Sequence, residues 1–352
     1  MQSETLKRTI VPAFIAAGVC LFFQRSGIFS LLFLVPLGVV AYRYNFRAGW
    51  TAFLFAFAGN VVLAVEIAVV RKIPAAAIIW DLLYFSVMAS IFTWITSPPP
   101  GFSWKVSGSM RLMIGSCLGA LLFTGIFFRA ASSPGFSAYL NSLINAVLSF
   151  YRSSGSDVVQ NALLQSITAE AVLDFMKSIM LRGGSLISCV FLFFISRQIS
   201  FFLARMFQRR KDPDTPGANT PGLSSLGFFH VAPSMIWVFS GSLLLVVLVR
   251  MVKLEVPEII LWNVLIFCVI MYFAQGLGIL QFFLVRPRVT PFLKLLFVIL
   301  FIILLFSPGI NAVLLGGIVL LGIAENWVPL RVPKTNGPPS TPEAGDGEDG
   351  KM

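Results

Sequence analysis

A few ionisable and amide side chains interrupt long apolar runs in this chain, and they are the residues able to do chemistry. Asn60 falls near the middle of one run and Glu66 toward its end, and Asp81 follows about two turns into the next. Only Arg71-Lys72-Ile73-Pro74 separates the two runs. Helices through them would bring Glu66 and Asp81 to one depth, roughly 7–10 Å below the helix ends. Two carboxylates so placed suit a cation, a proton or an amine. The competing reading is structural: Glu66 reaches back to Arg71 or Lys72, and Asp81 bonds Asn60 or a hydroxyl. Either way a charge in hydrocarbon is expensive and needs a reason to be there.

Arg197 interrupts the run 184–206. If one helix crosses the bilayer here, Arg197 lies near the midplane and needs an acidic partner or an anionic ligand. If the span ends near Ser196, Ile199, Phe202, Leu203 and Met206 form one face of an interfacial helix, with Arg205, Arg209 and Arg210 on the wet side. A later run carries Asn263, Gln275 and Gln281 with Gly276 and Gly278. Small residues let helices approach and amides bond across them, so helix packing and a ligand-lined cleft both fit. Ala13 and Ala17 form a small-xxx-small pair on the first run, a face suited to docking a partner helix.

Most catalytic equipment is missing from the sequence. It has no phosphate-cradling GxxxxGK[ST] run, no GxSxG elbow and no HExxH helix, and its one histidine is His230. Cys20, Cys117, Cys189 and Cys268 all lie inside apolar runs, with neither disulfide nor zinc spacing. The expectation is a protein that is not an enzyme and has no cofactor and no metal site.

The elements that position these groups follow from composition. Hydrophobic residues make up 57% of the 352, charged residues only 12%, and Phe alone counts 35. Mean hydropathy is +0.88. About 20 apolar residues in a helix cross a hydrocarbon core of roughly 30 Å. Ten candidate spans run over 9–24, 27–42, 48–70, 75–96, 110–128, 184–206, 231–251, 256–285, 291–306 and 308–325. Ser307-Pro308-Gly309 makes a tight reversal between the last two. The fold class is therefore all-α, a polytopic transmembrane helical bundle of 8–10 spans.

The layout has six parts. Residues 1–129 form an N-terminal bundle of about five spans and 130–183 a helical extracytoplasmic insert. In that insert Val159, Leu163, Ile167, Leu173, Met176 and Met180 recur at helical spacing. A span over 184–207 leads to a cytoplasmic linker at 208–230, then a C-terminal bundle of about four spans at 231–327. A disordered cytoplasmic tail, 328–352, is rich in Pro, Gly and acidic residues. Lys and Arg gather on the side that carries both termini, which places the termini in the cytoplasm. The net charge of +11 comes from residues flanking apolar runs. It fits loops facing anionic lipid, and no nucleic acid partner is expected.

The C-terminal part resembles a family. Tyr272-Phe-Ala-Gln-Gly-Leu-Gly-Ile-Leu-Gln-Phe-Phe-Leu284, a basic Pro-containing turn from Arg286 to Pro291, Pro308, then Leu321-Gly-Ile-Ala-Glu-Asn-Trp327 and Arg331 look like the end of the YybS-like bacterial membrane proteins, a domain of unknown function. The similar stretch covers about 60 residues, and Gln275-Gly276-Leu277 is its most specific part. Family members often carry an aspartate at the position of Glu325 and a histidine near Gln281. The family is remotely similar to the substrate-binding S-components of energy-coupling-factor transporters. That resemblance implies a helical bundle in the bacterial inner membrane that binds a small solute. It also implies a coupling membrane subunit and ATPases as partners, with Ala13 and Ala17 matching the docking face of the first span. The expected ligand-binding residues are Asn60, Glu66, Asp81, Arg197 and Gln275. The alternative expectation is a non-transporting membrane scaffold for envelope assembly or development.

Overall fold

The computed structural model describes residues 2–27, 29–44, 46–71, 75–98, 108–154, 168–209, 229–285, 290–328 and 330–331. Among them the regular elements are all helical. In chain order they are α1 (Gln2–Arg25), a short 3-10 turn (Ser30–Leu32), α2 (Val35–Arg43), α3 (Phe46–Arg71), α4 (Ala75–Thr96), α5 (Gly108–Ala131) and α6 (Pro134–Ser154). Then come α7 (Ala169–Ile179), α8 (Ser185–Arg209), α9 (Met235–Val252), α10 (Glu255–Val285), α11 (Pro291–Phe306) and α12 (Ile310–Ala324). The protein is an all-α, multi-pass membrane protein.

Among the described residues six helical stretches are long and apolar enough to cross a bilayer: Phe46–Val70, Ala77–Thr96, Met110–Ala131, Ala169–Phe207, Met235–Val252 and Glu255–Leu284. The pair α11 and α12 bends by 120° at its break and makes a seventh if counted as one span. Against the expected eight to ten spans, the described residues give six or seven of full length. The first two apolar runs are short helices, Thr9–Arg25 and Ser30–Arg43, and the last two are halves of a broken unit. The reversal at Ser307-Pro308-Gly309 is made by Gly309 at φ 83, a conformation glycine adopts without strain.

The helices divide into two compact units. The first comprises residues 1–225 and 234–271, the second 226–233 and 272–352. In the first, α1 packs along α3 through small side chains. Ala13, Ala17 and Cys20 on one helix and Ala48, Ala52 and Ala56 on the other are all buried in one core. Small residues bring two backbones close, so dispersion acts over the full contact without loss of rotamer freedom. Phe33 with Phe85 and Phe92 with Phe193 fill the wider gaps, at ring separations of 5.7 and 6.1 Å. α2 lies against α8, where a side chain on Gly38 would strike Ser200. The Ser200 hydroxyl lies within donating distance of Val35 O on α2, at 2.9 Å, and of Ser196 O on its own helix, at 2.6 Å.

The chain enters α8 from α7 through a kink at Met180–Gly184, where Arg182 (φ −88, ψ 27) and Gly183 (φ 102) leave helical geometry. Such a break frees backbone carbonyls. Asn263 of α10 donates Nδ2 to Leu181 O at 2.5 Å, and Arg182 lies 3.6 Å from the Glu258 carboxylate. α7 starts at Ala169 because Thr168 caps it, its side chain accepting from Ala171 N at 3.2 Å. The periodic positions Val159, Leu163 and Ile167, most of the 208–230 linker and nearly all of the tail lie outside the described residues.

In the second unit, α10 and α12 cross with backbone against backbone. A Cβ on Gly276 would meet Ile318 O, and one on Gly322 would meet Tyr272 O. Only glycine permits that approach from both sides.

Candidate functional site

Arg25 occupies the last turn of α1, where the helix dipole favours a cation. The helix stops there because Gly27, at φ 69, turns the chain away. From this position Arg25 Nη2 donates to Asn60 Oδ1 on α3 at 2.8 Å and pairs with Asp81 Oδ2 on α4 at 3.0 Å. Asn60 is completely buried, whereas the Arg25 and Asp81 side chains keep 33% and 38% of their surface exposed. One guanidinium thus ties three helices together at one end of the unit.

Beside it lies a cavity of about 360 Å³. Arg25 and Asp81 form its charged edge, and Trp80, Tyr84, Phe123, Phe127, Phe136 and Tyr139 supply its aromatic wall. α4 and α5 provide two sides, and the start of α6 provides Phe136 and Tyr139. Tyr84 and Phe123 touch with centroids 5.3 Å apart. Small-ligand sites share this make-up, an apolar body with a few convergent polar groups, and this volume falls within their usual range.

The sequence-derived ligand-binding candidates separate into four places. Asn60 and Asp81 meet, through Arg25. Glu66 lies on the exposed face of α3 with Val62, Val65 and Val69 and does not line the cavity. Lys72 and the Arg71 side chain, its suggested partners, lie outside what is described.

Arg197 sits on α8, away from the cavity lining. Its Nε donates to Tyr42 Oη at 3.2 Å and its Nη1 to Gly108 O at 3.1 Å, neutral acceptors in place of a carboxylate. α8 runs unbroken from Ser185 to Arg209, so the helix does not end at Ser196.

Gln275 is buried in the second unit. Its Oε1 accepts from Val231 N at 2.8 Å, and its Nε2 donates to Gly322 O at 3.1 Å and Glu325 Oε2 at 2.9 Å. Glu325 is in turn held by Arg331, which also donates to Phe229 O at 2.7 Å. This network engages both ends of the Gln275 amide within the chain. Ala13 and Ala17 are buried against the chain's own α3. The face of α1 left exposed carries Val11, Phe14, Ile15 and Phe22.

Arg25 is the site residue that sequence reasoning missed. It stands just past the first apolar run, where any basic residue reads as a loop flank. The cue available was its match in depth with Asn60 and Asp81, which needs the helix pairing to be known. Compared with protein-family models, with curated proteins and with solved structures, the chain matches none.

Proposed function

We propose that this chain is a solute-binding membrane protein, the transporter-like subunit of a multi-chain system in the bacterial inner membrane. The observation that carries this reading is the aromatic cavity edged by the Arg25–Asp81 pair. The half-open cleft beside the pair gives a small molecule room to reach both charges while its body packs on the aromatic wall. The distribution of Lys and Arg supports an outward-facing cavity and cytoplasmic termini. The YybS-like resemblance adds support for a binding subunit served by a coupling subunit and ATPases.

The test is to identify small molecules that copurify with the protein in mild detergent. Ala64, buried on the cavity wall, gives a blocking variant, Ala64→Trp, and Ile67→Trp gives a second. A compound enriched with the native chain and lost from both folded variants is the expected result. Identical small-molecule content in all three removes the reading.

A further inference from the structure

The charges at the cavity edge narrow the ligand class. We infer that the cavity takes a zwitterion with an apolar body, its ammonium at Asp81 and its anionic group at Arg25. The inference rests on the binding role proposed above.

The geometry supplies three arguments. First, the pair is only half used. Arg25 spends Nη2 on Asn60 and Asp81, while its Nε and Nη1 engage no partner among the described residues. Asp81 meets Arg25 through Oδ2, and its Oδ1 likewise engages none. Arg25 therefore keeps N–H donors and Asp81 an acceptor oxygen, and both side chains are partly exposed.

Second, the site is balanced in charge. A simple anion would draw Arg25 from Asp81 and leave a carboxylate uncompensated among apolar helices. A simple cation would do the converse to Arg25. Either exchange costs one member of a partly exposed pair its counter-charge. A zwitterion adds one partner to each member and leaves the net charge unchanged.

Third, the remaining wall is apolar and aromatic. Trp80, Phe123, Phe127 and Phe136 can cover a ring or branched chain, and aromatic faces also favour an ammonium group. The tyrosines, Tyr84 and Tyr139, add hydroxyls. Two sources offer this chemistry: a free amino-acid-like solute and the phosphoethanolamine headgroup of a lipid.

The experiment is titration calorimetry on the detergent-purified full chain with four probes. L-phenylalanine, 2-phenylethylamine and 3-phenylpropionate share one body and differ only in charge, and a soluble short-chain phosphatidylethanolamine stands for the lipid. At least one zwitterion is expected to bind about tenfold or more tighter than both singly charged probes. Binding of L-phenylalanine alone identifies a free solute, and binding of the phospholipid alone identifies a headgroup. The neutralised double variant R25Q/D81N should bring the three phenyl probes to within about twofold of one another. Retention of its native gel-filtration profile certifies the fold, and D81N alone serves if the double variant does not retain it.

The inference is overturned if the amine or the carboxylate binds native protein as tightly as the zwitterions. It is also overturned if neutralisation leaves the preference intact, or if no probe binds up to about 10 mM. Equal binding that Ala64→Trp abolishes would reject the zwitterion and keep the cavity as a site. The copurification result decides the binding role independently.

Discussion

Arg331 grips Glu325 with two prongs, Nε at 2.6 Å from Oε1 and Nη2 at 2.5 Å from Oε2. The two residues stand only six positions apart in the chain, yet the pair closes a ring that includes Gln275, Val231 and Phe229. His230 Nδ1 stands at the rim, 3.7 Å from Glu325. The ring ties the segment preceding α9 to α10 and to the end of α12.

Removing one partner of a buried pair costs more than the pair itself contributes, because the other charge is left without compensation. Arg331→Met should destabilise the second unit by about 3–5 kcal/mol. Glu325→Gln leaves the Arg331 charge uncompensated and turns an amide N–H toward a donor, so it should cost a similar amount. Thermal melts in detergent check both, and a native-like melting temperature for either variant would contradict this.

The crossing of α10 and α12 makes a sharper demand. Gly276→Ala and Gly322→Ala each drive a methyl group into a backbone carbonyl, which cannot rotate away. Each should cost about 1–3 kcal/mol or more, as overpacking does. The double variant should fall short of the sum, since one separation of the helices relieves both clashes. By contrast Gly316→Ala, with open space around it, should be close to neutral. Protease resistance across this set gives the comparison.

At the cavity edge, the Asn60 amide is the vulnerable member. Arg25→Leu strips its buried Oδ1 of a donor and should cost about 1–3 kcal/mol. Asp81→Asn affects a partly exposed pair and should cost no more than about 1 kcal/mol. Ligand affinity, not stability, is where Asp81→Asn should be felt. A melting temperature that falls further for Asp81→Asn than for Arg25→Leu would contradict this ordering.

Arg197 offers a test of geometry over charge. Its two bonds leave from different nitrogens toward Tyr42 and Gly108 O. Lysine carries the same charge on one nitrogen and cannot reproduce the fork. Arg197→Lys should therefore destabilise more than Tyr42→Phe, which loses one neutral bond worth about 0.5–1.5 kcal/mol. Detergent melts of the two variants decide it.

The α1–α3 seam admits little added volume. Ala52→Leu and Ala17→Leu should each cost about 1–3 kcal/mol by forcing the helices apart. Gly18→Ala, on open surface, should not. The same melts, run on purified protein, separate the two kinds of site.

Composition and the length of the apolar runs are enough to establish a helical chain that lives in lipid. Burial of twenty apolar side chains in hydrocarbon is a sum over one segment, independent of which helix lies next to it. For the same reason Asn60, Asp81 and Gln275 are visible as anomalies wherever they end up. What each anomaly bonds to is a property of pairs of helices, and no single segment encodes it. Only the tertiary structure paired Asp81 with Arg25 and not Glu66, Gln275 with Val231, Gly322 and Glu325, and the Ala13–Ala17 face with the chain's own α3. Span count belongs to the same class, because helix breaks at Gly183 and Gly309 redirect runs whose hydropathy alone reads as continuous or separate spans.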